Sequence, residues 1–152
     1  MRQYSFEMAV DYQVASDVQV SPDGSAVAYC LAPVGHAERQ PAGAIYVAST
    51  DGSAPPRPLT GREQNNTAPR WSPDGSMIAF LSDRPKRGEA QLHLVPAGGG
   101  EPLRVTSLRG GVSSPAWSAG GQRIFFTAER SALNGELENT SEIKVYGERG
   151  KP

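Results

Sequence analysis

Trp71-Ser72-Pro73-Asp74-Gly75-Ser76, followed at once by Met77-Ile78-Ala79-Phe80, is the stretch on which the fold is decided. Proline presets φ for the second position of a type I turn, Asp accepts from nearby amides, and Gly takes positive φ without cost. The apolar run behind them is short and β-rich, as expected of a strand buried on both faces. The combination describes a tight turn delivering the chain into a strand. It recurs upstream as Val20-Ser21-Pro22-Asp23-Gly24-Ser25 before Ala26-Val27-Ala28-Tyr29. Downstream it returns in worn form as Trp117-Ser118-Ala119-Gly120-Gly121-Gln122 before Arg123-Ile124-Phe125-Phe126. The copies are 51 and 46 residues apart.

Working outward, each turn is followed about twenty residues later by a second β-rich run, Ile45-Tyr46-Val47-Ala48 and Leu92-His93-Leu94-Val95. Glycine-bearing turns come next, at Thr50-Asp51-Gly52 and Ala97-Gly98-Gly99-Gly100, and the units close with Arg57-Pro58-Leu59-Thr60 and Leu103-Arg104-Val105-Thr106. A repeat of this length with four short strands is a propeller blade. The expected fold is therefore all-β: a partial β-propeller of about three four-stranded antiparallel blades in an incomplete ring. Residues 1–16 are a lead-in, 17–60 blade one, 61–106 blade two and 107–152 an incomplete blade three. Phe6 to Val14 carries a weak helical spacing and reads as a short helix or an extended lead-in. Residues 35–43 form a loop between strands, and residues 129–140 insert at the same place in the last unit.

Ser21, Pro22, Asp23, Gly24 and Ser72, Pro73, Asp74, Gly75 are read as turn formers rather than catalytic groups, with Gly120 and Gly121 keeping the third turn flexible after its proline and acid are lost. Trp71 and Trp117 precede the turns at equivalent places and are expected to pack between neighbouring blades. Asp83 and Arg84 end a strand; they read as a turn with local hydrogen bonds, the alternative being a rim contact with a substrate or partner.

Composition closes off several classes of function. The net charge is -1, with 15 basic and 16 acidic residues and no block of either sign, so the basic face that phosphate backbones require is not offered. Cys30 is the one cysteine, which excludes an internal disulfide; it lies in an apolar run and reads as a small core residue. No stretch approaches the roughly 18 apolar residues of a membrane span, and residues 1–7 lack the apolar core of a signal peptide. The expectation is a cytoplasmic chain with no nucleic-acid or membrane partner. No Gly-x-Ser-x-Gly elbow, P-loop, dinucleotide fingerprint or metal-ligand spacing occurs. His36 and His93 have no partner in the sequence that would make a base or a metal site. No catalytic residue and no cofactor is expected.

The segment from Trp71 through Phe80 to Ser82-Asp83-Arg84 resembles the propeller repeat shared by TolB-like proteins and prolyl oligopeptidase-type serine peptidases. The run Val14-Ala15-Ser16-Asp17-Val18-Gln19-Val20 looks like the start of the propeller in the acylaminoacyl-peptidase branch. Glu101-Pro102-Leu103-Arg104-Val105-Thr106 and the residues up to Trp117 look like its second-to-third blade junction, and Ile143-Lys144-Val145-Tyr146-Gly147-Glu148-Arg149 like part of its third blade. In that family the propeller precedes an α/β-hydrolase domain with a Ser-Asp-His triad and restricts access to it, so that short peptides are the substrates. None of the triad residues has a counterpart in this chain. The resemblance implies a non-catalytic access segment whose partners are further blades and a hydrolase domain. Two other readings stay open: a TolB-like protein-interaction propeller, and a small scaffold that completes its ring by self-association, since repeat units need neighbours to cover their apolar faces.

Overall fold

The computed structural model describes residues 12–34 and 42–128, together with the backbone of a short strand at 143–144. All regular structure among them is β. Three antiparallel sheets follow one another along the chain. The first contains β1 (Gln13–Val20), β2 (Ala26–Pro33), β3 (Ala44–Ser49) and β4 (Arg57–Pro58). The second contains β5 (Asn66–Trp71), β6 (Met77–Ser82), β7 (Gln91–Pro96) and β8 (Leu103–Arg104), and the third β9 (Val112–Trp117), β10 (Arg123–Ala128) and β11 (Ile143–Lys144). Each sheet is a meander, with strands hydrogen-bonded in sequence order. The all-β, incomplete-ring expectation is met. β1 begins at Gln13, so residues 13–16 of the expected lead-in pair within the first sheet. Residues 1–11 of the lead-in, most of the loop at 35–43 with His36, the insert at 129–140 and the chain after residue 144 lie outside the described residues.

The repeated turns fold alike because the same atoms close them. The carbonyls of Ser21, Ser72 and Ser118 each accept from the amide three residues on, that of Gly24, Gly75 or Gly121, at 2.9 Å. Those glycines have φ of 74, 72 and 70°, where a side chain would be strained. The same serines accept again at Oγ, from the amides of Ala26, Met77 and Arg123. Blade ends repeat too: the Oγ1 atoms of Thr60 and Thr106 accept from the buried amides of Ile45 and Leu92, both at 2.9 Å.

Alternation along the strands divides each sheet into two faces. In the middle sheet, Ile78, Phe80 and Val95 join a buried cluster with Ala28, Cys30 and Ile45 of the first sheet. Their neighbours Ala79, Leu81 and Leu92 join a second cluster with Val112 and Ile124 of the third sheet. The core therefore lies between sheets, and the middle sheet is covered on both sides. This is why its strands read as unbroken apolar runs rather than as alternating ones. Cys30 is a free, buried thiol whose pKa burial pushes up.

Candidate functional site: the first strands and the loops at their two ends

β1, β5 and β9, the first strands of the three sheets, lie side by side. Each carries the same irregularity. The pairing register slips between Ser16 and Gln19, between Thr67 and Arg70, and at the matching place in β9. At the slip a residue other than glycine sits in the left-handed region: Asp17 at 51°, Ala68 at 53° and Ser114 at 53°. These are β-bulges, which bend and twist a strand and re-aim its side chains. Three copies at one repeat position make the bulge a built element of the first strand, held at a strain cost of about 1–3 kcal/mol each.

Beyond each bulge, the chain joins its neighbour. Trp71 donates from Nε1 to the Gln19 carbonyl at 3.0 Å, and Trp117 donates to the Arg70 carbonyl at 2.9 Å. Each indole also packs against the core between its own sheet and the preceding one. An ion pair between Arg70 and Asp17, 3.8 Å apart and partly exposed, adds a polar link between the first two strands. At that exposure its contribution is small.

At one end of the strands stand the turns. Asp23 accepts from the Ser21 hydroxyl at 2.6 Å and from the Ser25 amide at 3.0 Å. Asp74 repeats both contacts with Ser72 and Ser76, at 2.6 and 3.1 Å. These donors, the Ser21 and Ser72 hydroxyls foremost, bring each carboxyl down from 3.8 to about 2. Gly120 stands where a third carboxylate would be. Successive turns nest: a Cβ on Gly75 would lie 3.7 Å from Pro22, and one on Gly121 3.4 Å from Pro73. An open groove between the first two turns is lined by Asp23, Val47, Arg57, Trp71 and Asp74.

At the other end, Asp83 is 6% exposed. Its two carboxylate oxygens accept from the amides of Asn65 at 2.9 Å and Gly88 at 3.2 Å, tying the β6–β7 loop to the link between the first two sheets. Arg84 donates weakly to the Ser82 hydroxyl, at 3.4 Å. Asp83 thus points into the protein, while Arg84 is half-buried beside it. His93, 1% exposed, is stacked 5.6 Å from Phe80. Its Nδ1 donates to the Gln91 carbonyl at 2.9 Å, which leaves Nε2 as an unprotonated atom without a partner. Burial lowers its pKa. Such a ring is a neutral packing element rather than a base that meets substrate.

The sequence marks the turn residues and the two tryptophans as repeated positions, but it does not show the bulges, the Trp-to-carbonyl bonds or the inward direction of Asp83. Pro69 and Pro115 were the available signal, because proline inside a strand marks an edge or a bulge. Among the described residues no group of three or more His, Cys, Asp or Glu could hold a metal ion. What the arrangement offers is a shaped wall of bulged strands with polar loops at both ends.

Comparison with known proteins gives this wall its relatives. A family profile described as the TolB beta propeller domain, PD40, matches residues 11–145. The "Uncharacterized peptidase YuxL" of Bacillus subtilis is 39% identical over 114 residues, which is 74% of this chain and 17% of that protein. The solved putative TolB of Agrobacterium tumefaciens is 33% identical with a TM-score of 0.58, over 70% of this chain and 35% of that one. The acylaminoacyl peptidase of Pyrococcus horikoshii has a TM-score of 0.56 at 22% identity, over 74% of this chain and 17% of that one, a likeness of fold. The chain spans about a fifth or less of the length of the curated relatives it matches.

Proposed function

The chain belongs to the TolB β-propeller (PD40) family, and from that premise we propose that it is the access-limiting propeller segment of a serine peptidase of the oligopeptidase type. In this reading its bulged first strands form part of the wall of a passage. Further blades complete that wall, and a hydrolase domain carries the nucleophile. The observation that carries it is the 39% identity to a protein named a peptidase, shared over three-quarters of this chain. The physical support is that the titratable side chains described above are committed to structure. Asp23 and Asp74 hold turns, Asp83 holds a loop, and His93 is sealed between sheets. Rate enhancement in acyl transfer needs a nucleophile, base and oxyanion donors aligned together. Peptides would be selected by whether they pass the wall, not by reaction on it.

Two measurements test this reading. The purified chain is expected to show no turnover of N-acylated or proline-containing chromogenic peptides; turnover abolished by a serine-directed inhibitor would overturn the assignment of a non-catalytic role. Grafted in place of the matching 114 residues of the Bacillus peptidase, it is expected to give a chimera that cleaves short peptides in preference to long unfolded polypeptides. Loss of that size preference in a folded chimera would also count against it.

The 33% identity to a putative TolB supports a second reading, a propeller whose surface binds other proteins. It predicts that the chimera loses its size preference while the chain alone captures a protein partner through the rim of turns.

A further inference from the structure

The junction between the first and second sheets is packed around a side chain whose charge depends on pH. His93 faces the first sheet from β7, paired across the strands with Phe80, whose ring belongs to the cluster with Ala28, Cys30 and Ile45. Its ring is 1% exposed. Nδ1 already donates to the Gln91 carbonyl, and Nε2 has no partner among the described residues. A neutral ring leaves only a lone pair unpaired there; a proton on Nε2 makes a buried cation with no acceptor. The charges felt at the ring are those of Arg84, just past the end of β6, and Arg104, its neighbour on β8, and both repel a cation. The Asp83 carboxylate is held by the amides of Asn65 and Gly88, and Asp17 of β1 is paired with Arg70. From the first sheet, β2 brings the protonated Cys30 thiol, β3 brings Ile45 and Val47, and β4 brings Arg57, a third cation.

Water reaches this ring only where the first sheet lifts. The other face of β6 and β7 is covered by the third sheet, with Ala79, Leu81 and Leu92 against Val112 and Ile124. The Phe80 ring, stacked at 5.6 Å, attracts a cation, but by much less than an unpaired charge loses on leaving water. We propose that the junction is a latch released by acid: a proton on His93 Nε2 parts the first sheet from the second, while each sheet keeps its own ladders. Hydrogen bonds from Trp71 to the Gln19 carbonyl, from Arg57 to that of Ala97 and from Cys30 to that of Asn66 cross the junction and yield with it. Opening between units that close themselves by local turns is the expected form of partial unfolding. Burial first, then Arg84 and Arg104, keep the folded ring's pKa below 6.5. The closed junction is therefore favoured above that pH and loses ground below it. Because β1 and β5 belong to the two parting sheets, the wall of first strands changes shape with acidity. The latch rests on the packing between these sheets and not on the access reading.

Cys30, the chain's one cysteine, lies in the same junction at 3% exposure and reports its opening. Its reaction with 4,4′-dithiodipyridine, a disulfide that titrates thiols in acid as well as at neutral pH, is followed in the purified chain. Dividing by the rate of a short cysteine peptide at each pH removes the thiol's own pH dependence. Between about pH 7.5 and 5.5 that ratio is expected to rise severalfold, up to about tenfold, the linkage of one proton over the unit below 6.5. His93→Phe and His93→Leu are each expected to abolish the rise. Protection of the β9 and β10 amides from hydrogen exchange is expected to hold over the same range. In a His36→Gln chain, where His93 is the single histidine, its ring resonances are expected to titrate below 6.5. A ratio that stays flat overturns the proposal, as does a rise that survives both substitutions. A rise matched by equal loss of protection in β9 and β10 marks unfolding of the whole chain and overturns it too. So does a ring protonated at its ordinary pH with Cys30 still closed, which shows the cation accommodated in place.

Discussion

The stacked ring pair between β6 and β7 and its counterpart between β2 and β3 occupy the same repeat positions with nearly the same geometry, 5.6 Å and 28° against 5.8 Å and 25°. Phe80 and His93 are sealed beneath the first sheet; Tyr29 and Tyr46 are half-buried. The residue types follow the coverage. Where a neighbouring sheet lies on top, a benzene ring and a neutral imidazole suffice. On the face that no described sheet covers, both rings carry hydroxyls, and Arg62 lies over Tyr46 while donating to its hydroxyl at 2.6 Å. A blade's fold is thus set by its own turns and ladders, and the chemistry of each face by what the described residues lay over it.

The largest way to break the comparison is to cut each stack. Phe80→Ala empties a site with no exposure and is expected to cost about 3–5 kcal/mol in chemical unfolding. Tyr29→Ala, at a half-buried position, is expected to cost about 1 kcal/mol or less. Equal losses would show that the first sheet has a covering the structure does not account for.

Protonation distinguishes the stacks next. Burial favours neutral His93 in the fold, so its folded pKa lies below the ordinary 6.5. The unfolded chain then binds the proton first as pH falls. Stability is complete above about pH 6.5 and declines below it. His93→Phe is expected to remove that slope from the pH dependence of the unfolding midpoint; an unchanged slope would place its origin elsewhere.

The turns sharpen the same lesson on a smaller scale. Asp74 is held at about 2 by the Ser72 hydroxyl and the Ser76 amide. Its contribution is present above the ordinary 3.8 and fades as pH falls toward 2. Asp74→Asn is expected to flatten that acid limb slightly, as befits an exposed group. Gly120→Asp, where a Cβ meets nothing within 4 Å, is expected to steepen it by placing a carboxylate beside Ser118.

Much of this was legible in the sequence. Ser-Pro-Asp-Gly gives a turn because each residue meets a local backbone need, and the runs behind it give strands by composition alone. The relation between sheets was less so. Met77-Ile78-Ala79-Phe80-Leu81 is apolar throughout, and no alternation tells which residues look forward and which back. The bulges escaped because Asp17, Ala68 and Ser114 share no residue type and none is glycine. Their shape is imposed by the neighbouring sheet, in which Trp71 and Trp117 reach back to carbonyls 52 and 47 residues away. Nor did Asp83 show in sequence that it points inward. Its amide partners, at Asn65 and Gly88, come from two different loops.

The core lies between the sheets, so the middle sheet is the most protected of the described residues. Amide hydrogen exchange of the purified chain, resolved by residue, tests it directly. The slowest exchange is expected for hydrogen-bonded amides of β6 and β7, with those of β2 and β3 opening more readily from the face that no described sheet covers. Equal protection of the first and middle sheets would contradict it.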